Sequence, residues 1–179
     1  MHSDQLDTLR YPIGPFEPPA AIPSADRGRH LAHLEALPDA LRTAVDALAD
    51  DQLDTPYRPD GWTVRQVVHH LADSHMNGYI RFRWTLTEDE SAIKAYDQDG
   101  WAELDDARRM DVAPSLTLID GLHARWGRLC HSLSDSDWTR AFQHPKSGRL
   151  TLDEALALYA WHGRHHTAQI TALRGRNGW

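Results

Sequence analysis

Three histidines are the residues of this chain best suited to chemistry. Two of them, His162 and His166, stand a helical turn apart in Tyr159-Ala-Trp-His-Gly-Arg-His-His-Thr-Ala-Gln-Ile170. At about 100° per residue they share one face of a helix. Leu152, Ala155, Tyr159, Ile170 and Leu173 fall on the same face, so both imidazoles interrupt an apolar stripe. Burying one such ring without a partner costs roughly 1–3 kcal/mol. A divalent cation removes that cost by making ligands of both rings, and i, i+4 pairs of this kind serve helical zinc sites. His165 falls about a quarter-turn away, beside Leu158.

A third ligand is to be sought in Thr63-Val-Arg-Gln-Val-Val-His-His-Leu-Ala-Asp-Ser-His-Met-Asn-Gly-Tyr-Ile-Arg81, where Val64, Val67, Val68, Leu71, Tyr79 and Phe82 form the inward stripe of a long helix. His70 flanks that stripe and shares its edge with Ser74, Asn77 and Arg81, a polar ridge that can border a pocket. His69 lies on the opposite edge with Met76 and Ile80, and His75 near the middle of the stripe. Periodicity favours His70, with the other two as rivals. The chain has 12 histidines, and a lone histidine on an apolar face is commonly a hydrogen-bonded core residue, so each of the three rings has that simpler reading beside it.

The elements that must position these rings are helices. A first helix is expected over Ala25 to Leu48, kinked by Pro38. Residues 1–23, with Tyr11-Pro-Ile-Gly-Pro-Phe-Glu-Pro-Pro19 and Pro23, read as an extended arm whose Tyr11, Ile13 and Phe16 pack on something. After a linker from Asp51 to Trp62, the capping box Thr63-Val-Arg-Gln66 opens a second helix to about Leu86. Residues 87–114 are irregular, with a short helix near Trp101 to Arg108. Ser115 is expected to cap a third helix, Leu116 to Leu133, with Leu118, Ile119, Leu122, Trp126, Leu129 and Leu133 inward. A small hairpin is expected between Thr139 and Leu150. A second capping box, Thr151-Leu-Asp-Glu154, then starts a fourth helix that Gly175 and Gly178 stop after Arg174. The pattern is all-α, a four-helix bundle in one domain, a fold whose metal sites are built from facing helices.

Composition narrows the function. A net charge of −7 with both signs interspersed gives no footprint for nucleic acid. No apolar run approaches the roughly 20 residues that span a bilayer, and no secretory leader is evident, so a cytoplasmic location is expected. Cys130 is the only cysteine, which leaves histidine and carboxylate as metal ligands. It reads as packing rather than as a nucleophile.

The run Gly61-Trp-Thr-Val-Arg-Gln-Val-Val-His-His-Leu-Ala-Asp-Ser-His-Met-Asn77, with Ala95-Tyr-Asp97, Trp161-His-Gly-Arg-His-His166, Tyr11-Pro-Ile-Gly14 and Asn177-Gly-Trp179, resembles the YfiT-like branch of the DinB-like superfamily over nearly the whole chain. The resemblance implies an up-down-down-up bundle and one zinc or nickel ion on His70, His162 and His166. It further implies a metal-dependent hydrolase or a bacillithiol S-transferase, with thiol-dependent isomerases in related branches. Gly163-Arg164 departs from the Ser-His expected there, at positions that are not ligands.

Three protein ligands leave a tetrahedral cation one open position, as in catalytic sites. A water there is activated for hydrolysis, whereas a low-molecular-weight thiol is favoured as its nucleophilic thiolate and attacks an electrophile. The thiol transferase is the preferred reading, because no glutamate stands beside the histidine pair to act as general base. The hydrolase is the alternative, and a non-catalytic metal-binding stress protein is a third. On the preferred reading the partners are a thiol and an electrophilic substrate. Arg81 anchors a carboxylate of the thiol unless it pairs with Glu88 or Asp89, and Ser74 or Asn77 orients it. Tyr96 and Asp97 border the pocket mouth, and Asp73 is a candidate acceptor for an imidazole N–H. Apolar residues in the arm suggest a homodimer.

Overall fold

The computed structural model describes residues 3–18 and 24–179. In chain order its elements are α1 (Ser3–Arg10), α2 (Ser24–Glu35), α3 (Leu37–Val45), α4 (Asp50–Leu53), α5 (Val64–Thr87), α6 (Gln98–Ala102), α7 (Asp105–Arg109), α8 (Ala113–His131), α9 (Asp135–Trp138), β1 (Ala141–His144), β2 (Gly148–Thr151) and α10 (Leu152–Asn177). Four helical rods, α2/α3, α5, α8 and α10, make the bundle. The two strands pair antiparallel, Ala141 opposite Thr151 and His144 opposite Gly148.

Capping chemistry sets where the two site helices begin. Gln66 N–H bonds Thr63 Oγ1 while Gln66 Oε1 accepts from Thr63 N–H at 2.9 Å, and Thr151 with Glu154 repeats the arrangement for α10. The first rod breaks at Ala36, two residues before Pro38, whose ring cannot continue the helical bonding. Gly178 ends α10 in the left-handed conformation, φ 71°.

Several expectations need correction. Residues 3–10 of the expected arm are helical, because the first proline comes only at position 12; residues 1, 2 and 19–23 lie outside the described residues. Tyr11 and Phe16 pack against His165 and Trp161 of α10 in the same chain. Gly175 does not stop α10, and the expected short helix is two, α6 and α7. Ser115 is not a cap. Pro114 opens α8, and Ser115 sits buried within its first turn. Leu118 is 43% exposed, whereas His123, which is not among the expected inward residues, is buried.

Named contacts give the direction of each rod. Arg27 meets Asp153, Leu37 faces Gly163 and Arg174 donates to the Ala44 carbonyl, so α2/α3 and α10 run parallel. Leu34 and Glu35 meet His123 and His131 while Arg42 meets Asp120, so α8 runs the other way. His70, His75 and Gly78 meet His166, His162 and Tyr159, so α5 is antiparallel to α10. His69 meets Ser115 and Phe82 meets Trp126, so α5 is parallel to α8. The topology is up-down-down-up. Each of α2/α3 and α5 borders both α8 and α10, which places α2/α3 and α5 at opposite corners.

Parallel neighbours require the chain to return along the bundle between them, and residues 88–112 do so. The return begins beside the hairpin, where Ile93 N–H donates to Gln143 O and Gln143 N–H to Ser91 O. It ends on α5, where Gln66 Nε2 donates to Ala102 O and Arg65 to Met110 O. One core cluster gathers Leu41, Val67, Leu71, Ile119 and Ile170, and another Leu34, Phe82, Trp126, Leu156 and Tyr159. The imidazoles of His70, His75, His162 and His166 lie in a band where α5 and α10 pass from one cluster to the other. No described helix is long and apolar enough to cross a membrane.

Candidate metal centre

His70 from α5 and His162 and His166 from α10 converge. One ring nitrogen from each lies within 4.8 Å of the others, and no fourth histidine, cysteine or carboxylate joins them among the described residues. The Nε2 atoms of His70 and His162 are 3.2 Å apart. The antiparallel α5–α10 contact makes this convergence, since it sets the edge of the α5 stripe against the interrupted stripe of α10. Trp62, the last residue of the linker, packs 4.6 Å from the His70 ring. The linker is pinned to put it there by Tyr57 N–H on Trp62 O and by a bridge between Pro56 and Thr63.

Outer partners set the proton on two of the rings. Gln169 Nε2 donates to the Arg10 carbonyl at 2.8 Å, which turns its Oε1 toward His166 Nδ1, also at 2.8 Å. His166 therefore carries its proton on Nδ1 and offers the Nε2 lone pair inward. His162 Nδ1 meets His75 Nε2 at 3.2 Å, which leaves the His162 Nε2 lone pair facing the centre when Nδ1 is the donor. Burial pushes His70, His162 and His166 well below the ordinary imidazole pKa, and the neighbouring imidazoles push the same way. Three neutral nitrogen donors, two of them oriented by second partners, fit one divalent cation.

The other histidines divide as their surroundings dictate. His69 is the hydrogen-bonded core residue, with Nδ1 at 2.8 Å from Ser115 Oγ and Nε2 at 3.2 Å from Met110 O. His75, the other rival, is fully buried and supports His162 from behind. His165 is buried against the arm rather than turned away. It stacks on Trp161, its Nε2 meets Gln169, and burial pushes its pKa down to about 4.

Two cavities open onto the centre. The first, about 420 Å³, is walled by His70, His162 and His166 and by Trp62, Asp60 and Asp99. The second, about 340 Å³, contains Arg81, Ser74, Tyr96, Tyr159 and Lys146. His162, Gln98 and Asp99 belong to both. Arg81 donates to Tyr159 Oη at 3.0 Å, and Asp89 pairs with Arg140 instead. Ser74 lines the second cavity, whereas the Asn77 amide bonds the Asp73 carbonyl of its own helix and lines neither cavity. Asp73 makes no bond to an imidazole; burial raises its carboxyl to about 6. Cys130 is buried and its thiol is pushed up to about 12, as packing requires.

Sequence reasoning missed Gln169, Trp62, Asp60 and Asp99. Gln169 lies one turn beyond His165 on the inward side, a glutamine where the stripe calls for an apolar residue, and that was a usable signal. The other three lie outside the long helices, where helical periodicity says nothing. The departure at Gly163 has a packing reason: a Cβ there would stand 2.9 Å from Leu37 Cδ2, so glycine allows α3 its close approach to α10.

Fold and site together define a four-helix-bundle protein with a three-histidine centre. The profile of the DinB superfamily matches residues 33–170, and the chain belongs to that superfamily. It is 49% identical to a Geobacillus thermodenitrificans (strain NG80-2) protein named "Putative metal-dependent hydrolase", over 97% of this chain and 98% of that one. It is likewise 49% identical to "Putative metal-dependent hydrolase YfiT" of Bacillus subtilis (strain 168), over 96% and 97%. A solved structure described as "YfiT from Bacillus subtilis is a probable metal-dependent hydrolase with an unusual four-helix bundle topology" superposes with a TM-score of 0.93, at 49% identity, covering 96% of this chain and 99% of that one.

Proposed function

We propose that this protein is a metal-dependent hydrolase whose cation, zinc or nickel, is held by His70, His162 and His166. The observation that carries the reading is the convergence of three imidazole donors, within 4.8 Å, on the wall of an open cleft. A divalent cation there supplies a Lewis acid that polarises a carbonyl and brings the pKa of a water at its open position toward about 7. The protein's own residues do the rest. His75 and Gln169 hold two of the ligand rings, Trp62 shields His70, and Asp60 and Asp99 are the carboxylates on the cleft available to take up the proton released in attack. A base drawn from the loop of Asp60 or the short helix of Asp99 would make a glutamate beside the histidine pair unnecessary. The names of relatives at 49% identity support hydrolysis over the thiol transfer preferred from sequence.

Thiol transfer stands as the second reading on one observation: two chambers meet at His162, as a reaction between two substrates requires. A paired assay separates them. Metal-loaded protein is expected to turn over members of an ester and amide panel without added thiol. Each of His70→Ala, His162→Ala and His166→Ala should abolish that turnover and tight metal binding together, read by metal analysis. Metal-dependent conjugation of bacillithiol to monochlorobimane, with no turnover of the panel, would replace the first reading by the second.

A further inference from the structure

Arg81 is half-buried, and its Nη1 donates to the hydroxyl of the fully enclosed Tyr159. It forms no ion pair among the described residues. Two other half-buried arginines without an ion pair, Arg58 and Arg174, spend N–H groups on backbone carbonyls, whereas Arg81 has only the neutral phenol. Arg27 holds Asp153 and Asp135, and Arg65 holds Asp54 and Asp50. A half-buried guanidinium whose one partner is a neutral hydroxyl turns unneutralised charge toward the cavity it lines, which suits a counter-ion there.

The chamber around it is built for an anion. Arg81 keeps N–H groups beyond the one on Tyr159, and the Tyr159 O–H, having accepted from Arg81, is free to donate. Lys146, exposed in the β1–β2 turn, brings a second cation at the rim, and Ser74 and Tyr96, hydrogen-bonded to each other, add hydroxyls. His144 feels both cations: after burial, Arg81 and Lys146 are the next causes that lower its pKa. The two acids of the chamber, Asp97 and Asp99, are exposed at its rim, and Asp97 Oδ1 is engaged by Gly100 N–H as the cap of α6. Arg81 lies eleven residues beyond His70 on α5, about 16 Å along the axis. Its side chain leans back toward the helix N-terminus, which shortens the gap to the histidines to on the order of 10 Å.

We propose that this second chamber is a carboxylate-binding subsite, in which Arg81, Tyr159 and Lys146 grip the anionic tail of a small elongated substrate whose reacting end lies at the three histidines. The inference rests on the metal-dependent reading only for where the other end lies. It makes the substrate class a carboxylate-bearing ester, amide or thiol rather than a neutral one.

Two measurements test it. In metal-free protein, titration with acetate is expected to move the Arg81 Nε–H resonance saturably in heteronuclear NMR, with a smaller response in Lys146→Ala. No movement overturns the proposal, and movement with inorganic phosphate alone overturns the choice of carboxylate. In zinc-loaded protein, an alkyl hydroxamate ending in a carboxylate is compared with its methyl ester, the spacer being long enough to cross the gap. The acid should bind at least about tenfold more tightly than the ester. Arg81→Gln should erase the preference and Arg81→Lys restore part of it. Equal binding of acid and ester, or a preference that survives Arg81→Gln, overturns the subsite. If neither hydroxamate binds, the three-histidine reading fails, and the metal-free titration still decides the chamber.

Discussion

With its Oε1 on His166 and its Nε2 on the Arg10 carbonyl, Gln169 acts on the centre without being able to bind a cation well itself. Gln169→Ala removes the acceptor that holds the His166 proton on Nδ1. It is expected to weaken zinc binding by about 10–100-fold in chelator competition while leaving the far-UV spectrum unchanged. Gln169→Glu, which keeps the acceptor, should lose much less. The buried rings also fix the pH response of the metal-free protein. His70, His75, His162 and His166 all have folded-state pKa values well below 6.5. Above pH 6.5 neither folded nor unfolded chain takes up protons at these sites, and stability is full. Below it the unfolded chain protonates first, so stability falls, by up to about 1.4 kcal/mol per ring for each pH unit until the folded-state pKa is reached. Urea midpoints at pH 7.5 and 5.5 check this, and a flat profile would contradict neutral burial.

At the scale of elements, α5 packs tightly where it crosses α10 and α8. A Cβ on Gly78 would stand 2.5 Å from Tyr159 Cζ and 2.6 Å from Trp126 Cη2. Gly78→Ala gains roughly 1 kcal/mol of helix propensity. Forcing two ring systems apart in a filled core costs about 1–3 kcal/mol. A net fall in the denaturant midpoint is therefore expected, together with a weakened Arg81–Tyr159 contact. The starts of α5 and α10 were legible in sequence because Thr63 with Gln66 and Thr151 with Glu154 are local chemistry, complete within four residues. Ser115 misled because the same residue type serves as a cap or as a buried partner, and Pro114 before it had already opened the helix. His70 was favoured by periodicity, yet only the antiparallel contact with α10 separates it from His69 and His75, and that contact is not local information.

Across the whole molecule, the centre ties together segments 92 and 96 residues apart, while neither hydrophobic cluster counts His70, His162 or His166 among its members. Removing the cation is therefore expected to lower the melting temperature and leave the helical signal at 222 nm intact. A ligand present at a thousand times its dissociation constant adds about 4 kcal/mol. Differential scanning with and without chelator reads this, and loss of helicity on chelation would show that the clusters do not suffice. The cleft itself was not readable in sequence, since its walls come from Arg10 and Tyr11, the linker at Asp60 and Trp62, and Gln98 and Asp99 of the crossover. These stretches meet only in the finished tertiary structure.

The parallel setting of α5 and α8, with α2/α3 and α5 at opposite corners, has a consequence for how the chain finds this arrangement. No two successive rods can zip together as a helical hairpin, the quickest local step open to an all-helical chain. Every lateral pairing needs a distant stretch of polypeptide to be captured first. A partly synthesised chain ending after α5 would carry the oily side of that helix with nothing to cover it, and early assembly depends on loose collapse rather than on stepwise docking.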